Sequence, residues 1–388
     1  MKKTLTTLSA TTLALFSLSA CTPNNAVDGG VLTVRATDSE CSVSASEAKA
    51  GTLTFIVKNE GSTVNEFYVV AEDGLRVLSE VENIGPGLSR DLTVQLAEGK
   101  YNLRCKPGMV GEGITSTFTV AANPDATEVP ADEQALRDEA VSQYTAYVKD
   151  QIEQLKTKTD EFAAAYKSGD DERARSLYAA ARLHFERVEP VAESFGDLDP
   201  KLDAREADLE EGQPWTGWHR AEKDLWAPSA EANGGKQYTA LTSQQRSELA
   251  DQLVADTQSL YEQTRELDIT VDQITNGAKG LLDEVAATKV TGEEEVWSHT
   301  DLSDFQGNID GARVAFDTVR PIVEGKDAAL AADLDTKFAA VQQLLDQYRR
   351  GETFVSYTDL TEQQVRELSD AIDALSEPLS KLTGLVVG

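Results

Sequence analysis

The feature that most limits the fold is a change of pattern at Ala121 to Glu133 (Ala-Ala-Asn-Pro-Asp-Ala-Thr-Glu-Val-Pro-Ala-Asp-Glu), a stretch with two prolines, few apolar residues and no hydrophobic period. Such a stretch continues neither a strand nor a helix, so residues 121–133 read as a linker between two units with separate cores. Ahead of it apolar residues alternate; beyond it they recur at helical spacing as far as Leu382. The expected fold is therefore multidomain, β plus all-α: a small β-sandwich over 30–120 followed by an antiparallel helical bundle over 134–388. The 388 residues are enough for each unit to bury a core of its own.

In the first unit, Val31 to Val34, Gly51 to Val57, Asn65 to Val70, Leu92 to Leu96 and Thr117 to Val120 form short alternating runs. They are separated by turn-forming clusters such as Asp73-Gly74 and Gly85-Pro86-Gly87. Tyr101 to Cys105, followed by Met109, resembles the C-terminal ligand loop of cupredoxins, in which a cysteine and a methionine flank a histidine. The histidine is missing here. All three histidines lie at 184 or later, so a centre of two imidazoles and a thiolate cannot be assembled from this unit. Cys41, Cys105, Glu66, Glu82 and Met109 remain as a mixed soft and hard set suited to copper or iron, with a disulfide between the two cysteines as the alternative in an oxidising compartment.

In the second unit, helices are expected at about 134–167, 171–194, 213–226, 242–266, 269–287, 301–323, 326–349 and 361–382. Thr242 with Gln245 and Thr361 with Gln364 have capping-box spacing, and Ser168-Gly169-Asp170 punctuates the second start.

The chain opens as a secretory signal does: Lys2 and Lys3, an apolar stretch through Leu18, then Ser19 and Ala20. Leu18-Ser19-Ala20-Cys21 resembles a bacterial lipobox. The expectation is a signal over 1–20, lipidation at Cys21, a tether over 21–29, and a mature chain held to the cell membrane by lipid and facing out of the cytoplasm, at the cell surface or in a periplasm. No later segment is long and apolar enough to span a bilayer. The 36 basic against 67 acidic residues give a formal charge of −31, which disfavours nucleic acid and favours cationic partners, metal ions being the simplest.

Trp215 to Trp226 (Trp-Thr-Gly-Trp-His-Arg-Ala-Glu-Lys-Asp-Leu-Trp) places three of the four tryptophans around His219 and Glu222. Three apart on a helix, the imidazole and the carboxylate share a face, and the pair is a ligand set for iron, zinc or manganese. The aromatics supply buried area and exclude water from such a face. Glu186 and Glu189 are likewise three apart, and two like charges on one face call for a compensating cation, either an arginine or a metal. A second acidic face opposite His219 would complete a bundle metal site. No His-Glu-x-x-His occurs, so metallopeptidase chemistry lacks its usual water-activating motif.

Three long stretches, Arg187 to Asp208, Trp215 to Trp226 and Ser298 to Gln306, closely resemble the EfeO family of extracytoplasmic iron-uptake components, whose helical part is similar to imelysin-like proteins, classed by name with peptidases. The resemblance spans nearly the whole mature chain, since that family also carries an N-terminal cupredoxin-like domain. It implies a metal site built from His219, Glu222, Glu186, Glu189 and Asp203, with Asp301 and Asp304 as a further ligand or a helix cap. For the β unit the family pattern matches Cys41, Cys105, Glu66 and Glu82. It further implies an iron-binding lipoprotein, not an enzyme, that serves a membrane iron permease beside a haem peroxidase. A ferroxidase using a redox metal in the β unit is the enzymatic alternative.

Overall fold

In the computed structural model, residues 30–126, 128–209 and 211–388 are described. The expected signal, Cys21 and the tether lie outside them. Among the described residues nine strands come first: β1 Val31–Ala36, β2 Cys41–Val43, β3 Glu47–Lys49, β4 Gly51–Asn59, β5 Asn65–Val70, β6 Val77–Ile84, β7 Ser89–Leu96, β8 Gly99–Cys105 and β9 Ile114–Ala121. They form two sheets in the orders β2-β1-β4-β7 and β3-β9-β8-β5-β6. Pairing is antiparallel except for β1 with β4 and β3 with β9. Strict alternation in β1 and β4 sends Leu32, Val34, Phe55 and Val57 inward to meet Phe67 and Phe118 of the facing sheet. The stretch read as a cupredoxin-like ligand loop is strand β8 followed by a 3₁₀ turn at Pro107–Met109.

The helices are α1 Ala131–Ser168, α2 Asp171–Glu186, α3 Leu198–Asp203, α4 Gly217–Leu225, α5 Ser243–Arg265, α6 Val271–Ala287, α7 Asp301–Lys326, α8 Ala328–Gln347, α9 Glu362–Leu379 and α10 Leu382–Val387. The capping boxes at Thr242 and Thr361 form in both directions. The expected helix over 171–194 is corrected: α2 stops at Glu186 and a 3₁₀ segment runs Glu189–Phe195. Pro190 has no N–H to give to the Glu186 carbonyl and biases Glu189 away from the α region, which favours ending the α-helix there.

The two units touch along α6, which lies on β6 and β7. Asn276 Nδ2 donates to Thr93 O at 2.7 Å and to Ser79 Oγ at 2.9 Å, and Asp272 Oδ2 accepts from the Gln95 amide at 2.8 Å. At the far end Thr52 Oγ1 donates to Val387 O at 3.2 Å.

Candidate metal centre

Two glycines bring the carriers of the centre together. Gly217 opens α4 at φ 83°, where a Cβ would lie 2.2 Å from Leu202 O. That approach sets the end of α3, with Asp203, beside the start of α4, with His219. Gly307 does the same for α7, since a Cβ there would stand 2.5 Å from Glu186 Cβ. Trp218 is fully buried against Phe162 and Tyr178, and Trp215 Nε1 donates to Ala204 O at 2.8 Å, so the tryptophans serve as core and as a strap across the α3–α4 loop.

His219 is 2 % exposed and faces carboxylates on both sides of its ring. Nδ1 lies 3.4 Å from Glu222 Oε2. Nε2 lies 3.4 Å from Glu294 Oε1 and 3.6 Å from Asp203 Oδ1, with no hydrogen bond of good geometry. Burial and the nearby Arg182 charge push the imidazole pKa down, but the carboxylates of Glu222, Glu294 and Asp203 outweigh both and lift it to about 10.

Arg182 and Lys289 are also buried. Arg182 pairs with Asp203, with Glu186 at 2.5 Å, with Glu295 at 2.6 Å and with Glu294 at 3.4 Å. Lys289 pairs with Glu189, and with Glu186 at 3.6 Å and Glu294 at 3.8 Å. The compensating cation expected for Glu186 and Glu189 is therefore present in the chain itself, and Asn308 Nδ2 bridges the two carboxylates at 2.9 and 2.5 Å. Burial dominates their titration: Glu186 is held well above the usual carboxylate range and Glu189 is raised to about 7.

The expected Asp203, Glu186, Glu189, His219 and Glu222 thus converge on one buried region. Neither Asp301 nor Asp304 caps α7, whose first turn receives no side-chain cap from Thr300 either. Instead Asp301 Oδ1 accepts the Glu295 amide at 3.1 Å and ties the preceding loop down. Both Asp304 oxygens and Asp301 Oδ2 are buried without a hydrogen-bond partner. Burial raises Asp304 strongly and Asp301 to about 7.

Sequence reasoning missed Glu294, Glu295, Arg182 and Lys289. Glu293-Glu294-Glu295 reads as a solvated acidic run, yet Glu294 is 3 % and Glu295 0 % exposed. The one available signal was position: only two residues separate the run from Ser298, where the third matching stretch begins.

The β-unit ligand set is corrected. Cys41 and Cys105 are joined in a disulfide, so neither offers a thiolate. Strand alternation also separates them from the glutamates: Phe67, paired with Cys105, faces the sandwich core, so Glu66 and Tyr68 of β5 face the other way, toward the helices. Val81 of β6 is core as well, which leaves Glu80 and Glu82 on that same outer face. Burial, helped by Glu193 and Glu284 of the helical unit, raises both Glu80 and Glu82 well above the usual range. Met109 sits in the 3₁₀ turn with φ 61°.

Residues 140–382 match the family model described as imelysin, of the M75 peptidases, and residues 9–120 match that of the cupredoxin-like domain. The iron uptake system component EfeO of Escherichia coli O157:H7 is 36 % identical over 367 residues, covering 93 % of this chain and 93 % of its own. The chain belongs to the EfeO family. The EfeO of Shigella flexneri matches with the same identity and coverage. A solved structure assigned as an iron-regulated protein A precursor of Parabacteroides distasonis superposes with a TM-score of 0.50, covering 69 % of this chain and 98 % of its own. At 15 % identity this likeness shows the fold alone. EfeO-family membership fits a β unit followed by a helical one, and none of the described helices is long and apolar enough to cross a membrane.

Proposed function

We propose that this chain is the iron-binding carrier of an Efe-type uptake system, holding the ion at the His219 centre and passing it to a membrane permease beside a haem peroxidase of the same system. The observation that carries this reading is the imbalance around His219. Glu186, Glu189, Asp203, Glu294, Glu295 and Asp304 crowd onto Arg182 and Lys289, with Glu222 and Asp301 next to Glu295, and the buried oxygens of Asp304 and the Nε2 of His219 stand without hydrogen bonds. A bound cation would relieve both the excess charge and the unpartnered atoms. Carboxylate oxygens with one imidazole suit a hard to borderline ion such as iron, and a site already partly neutralised by two protein cations holds that ion weakly enough to release it.

The signal over 1–20 and lipidation at Cys21 would place this carrier outside the cytoplasm on a lipid tether. The ferroxidase alternative calls for a redox metal in the β unit, and the Cys41–Cys105 disulfide takes the two thiolates out of the ligand set expected there. The test is iron binding by the wild-type chain against His219→Ala and Glu294→Ala, read by competition with a coloured chelator. Both variants are expected to lose the tight site; unchanged binding in both would overturn the reading.

A further inference from the structure

Two trios of donors share His219, each with ligand atoms within 4.8 Å of one another: Asp203, His219 and Glu294 on one side, and His219, Glu222 and Glu295 on the other. A neutral imidazole offers one lone pair, so an ion is ligated through one ring nitrogen while the other nitrogen keeps its proton. The hydrogen bonds already made by each trio decide which nitrogen is which.

On the Nδ1 side the carboxylates are occupied. Glu222 Oε1 accepts the backbone amides of Trp297 at 2.8 Å and Ser298 at 2.7 Å, which fixes the carboxylate and leaves Oε2 directed at Nδ1. Glu295 Oε1 accepts the Tyr178 hydroxyl at 3.2 Å and is ion-paired with Arg182 Nε at 2.6 Å, and its Oε2 accepts the Ser298 hydroxyl at 2.5 Å. An ion on this side would have to displace several of these bonds.

On the Nε2 side the ring nitrogen itself is open, while Asp203 Oδ1 is paired with Arg182 and Glu294 with more distant cations. Nε2 has no hydrogen bond. The cations nearest Glu294 stand at 3.4 Å for Arg182, 3.4 Å for Arg205 and 3.8 Å for Lys289. The Asp203 side chain is 12 % exposed, so this side is also the one that opens toward solvent.

We propose that Glu222 is a positioning residue and not a ligand: it holds the Nδ1–H of His219, so that Nε2, Asp203 and Glu294 together receive the ion. The inference rests on the iron-site reading above and reassigns one member of its expected ligand set. A carboxylate behind a metal-bound imidazole fixes both the tautomer and the ring plane, and its loss commonly weakens binding by about 10–100-fold. In Glu222→Gln the two backbone amides demand an oxygen at the Oε1 position, so the side-chain amide would face Nδ1 as a donor. Nδ1 would then become an acceptor, and the proton would move to Nε2, where it blocks the ion.

The experiment uses zinc as a diamagnetic probe on the full-length chain labelled with nitrogen-15 at histidine, read by two-bond proton–nitrogen correlation. Only three histidines need assignment, and His184→Gln and His299→Gln supply it. The expected zinc-bound spectrum has His219 metallated at Nε2 and protonated at Nδ1. In Glu222→Gln, recorded at a pH high enough for the metal-free ring to be neutral, the one ring proton is expected on Nε2, with zinc affinity lower by about 10–100-fold. Metallation at Nδ1, or an unchanged tautomer in Glu222→Gln, would overturn the inference while leaving the iron site intact. Failure of zinc to perturb His219 at all, together with unchanged iron binding in His219→Ala, would remove the site and the inference with it.

Discussion

Arg182 Nε stands 2.6 Å from Glu295 Oε1, and neither side chain has any exposed surface. The same guanidinium reaches Glu186 and Asp203, so one cation fastens α2, α3 and the loop ahead of α7 around the centre. Removing one partner of a buried ion pair leaves the other charge uncompensated, at a cost of about 3–5 kcal/mol. Arg182→Met is therefore expected to lower stability by about that amount. Because a divalent ion would supply the missing positive charge, saturating zinc should restore part of the loss. Thermal melts with and without zinc check this, and equal destabilisation in both would detach Arg182 from the ion site.

The imidazole of His219, lifted to about 10, is protonated at neutral pH before an ion arrives. An ion on Nε2 must expel that proton, so binding competes with protonation. The sign follows: below pH 10 a fall of one unit raises the proton's share and weakens iron binding by about tenfold, in addition to any carboxylate protonation. Calorimetry in buffers of different ionisation enthalpy should show at least one proton released per ion. A site insensitive to pH between 6 and 8 would contradict the arrangement.

Much of the fold and part of the centre were legible in the sequence, for reasons that can be assigned to particular residues. Alternation in β1 and β4 and the capping boxes at Thr242 and Thr361 are local signals, and they specify elements without reference to distant chain. His219 and Glu222 were visible because helical spacing brings them to one face. Glu294 and Glu295 were not, because nothing local tells a buried acidic run from a solvated one. Their burial depends on Arg182, more than a hundred residues earlier, and on Gly217 and Gly307 admitting the helices that cover them. Grouping Glu66 and Glu82 with the cysteines left out face parity: alternation turns Glu66 away from Cys105.

The Cys41–Cys105 disulfide closes a loop with a sequence separation of 64. Cross-linking a loop of that size restricts the unfolded chain, and its loss costs about 2–4 kcal/mol. The double variant Cys41→Ser, Cys105→Ser is expected to lower the stability of the β unit by that amount. Iron affinity should stay at the wild-type value, since the disulfide faces the sandwich core and the carboxylates around His219 belong to the helical unit. Loss of iron binding in a variant whose helical unit remains folded would return a metal role to the β unit.

His184 titrates in the opposite direction from His219 although both rings are buried. Burial, with the charges of Arg187 and Lys158, lowers its pKa to about 4, only weakly opposed by Asp150. The ring is neutral in the fold, with Nδ1 2.8 Å from Gln151 Oε1. Between pH 6.5 and 4 the unfolded chain takes up this proton and the folded chain does not. Stability therefore declines as pH falls through that window, by up to roughly 3 kcal/mol. His184→Gln removes the titration and keeps a polar group near Gln151. Carboxylates raised by burial, such as Glu186, contribute with the opposite sign but are common to both proteins. Urea midpoints of wild type and variant should accordingly converge, or cross in the variant's favour, as the pH is lowered from 7 to 4. Parallel curves would mean that His184 is protonated in the fold.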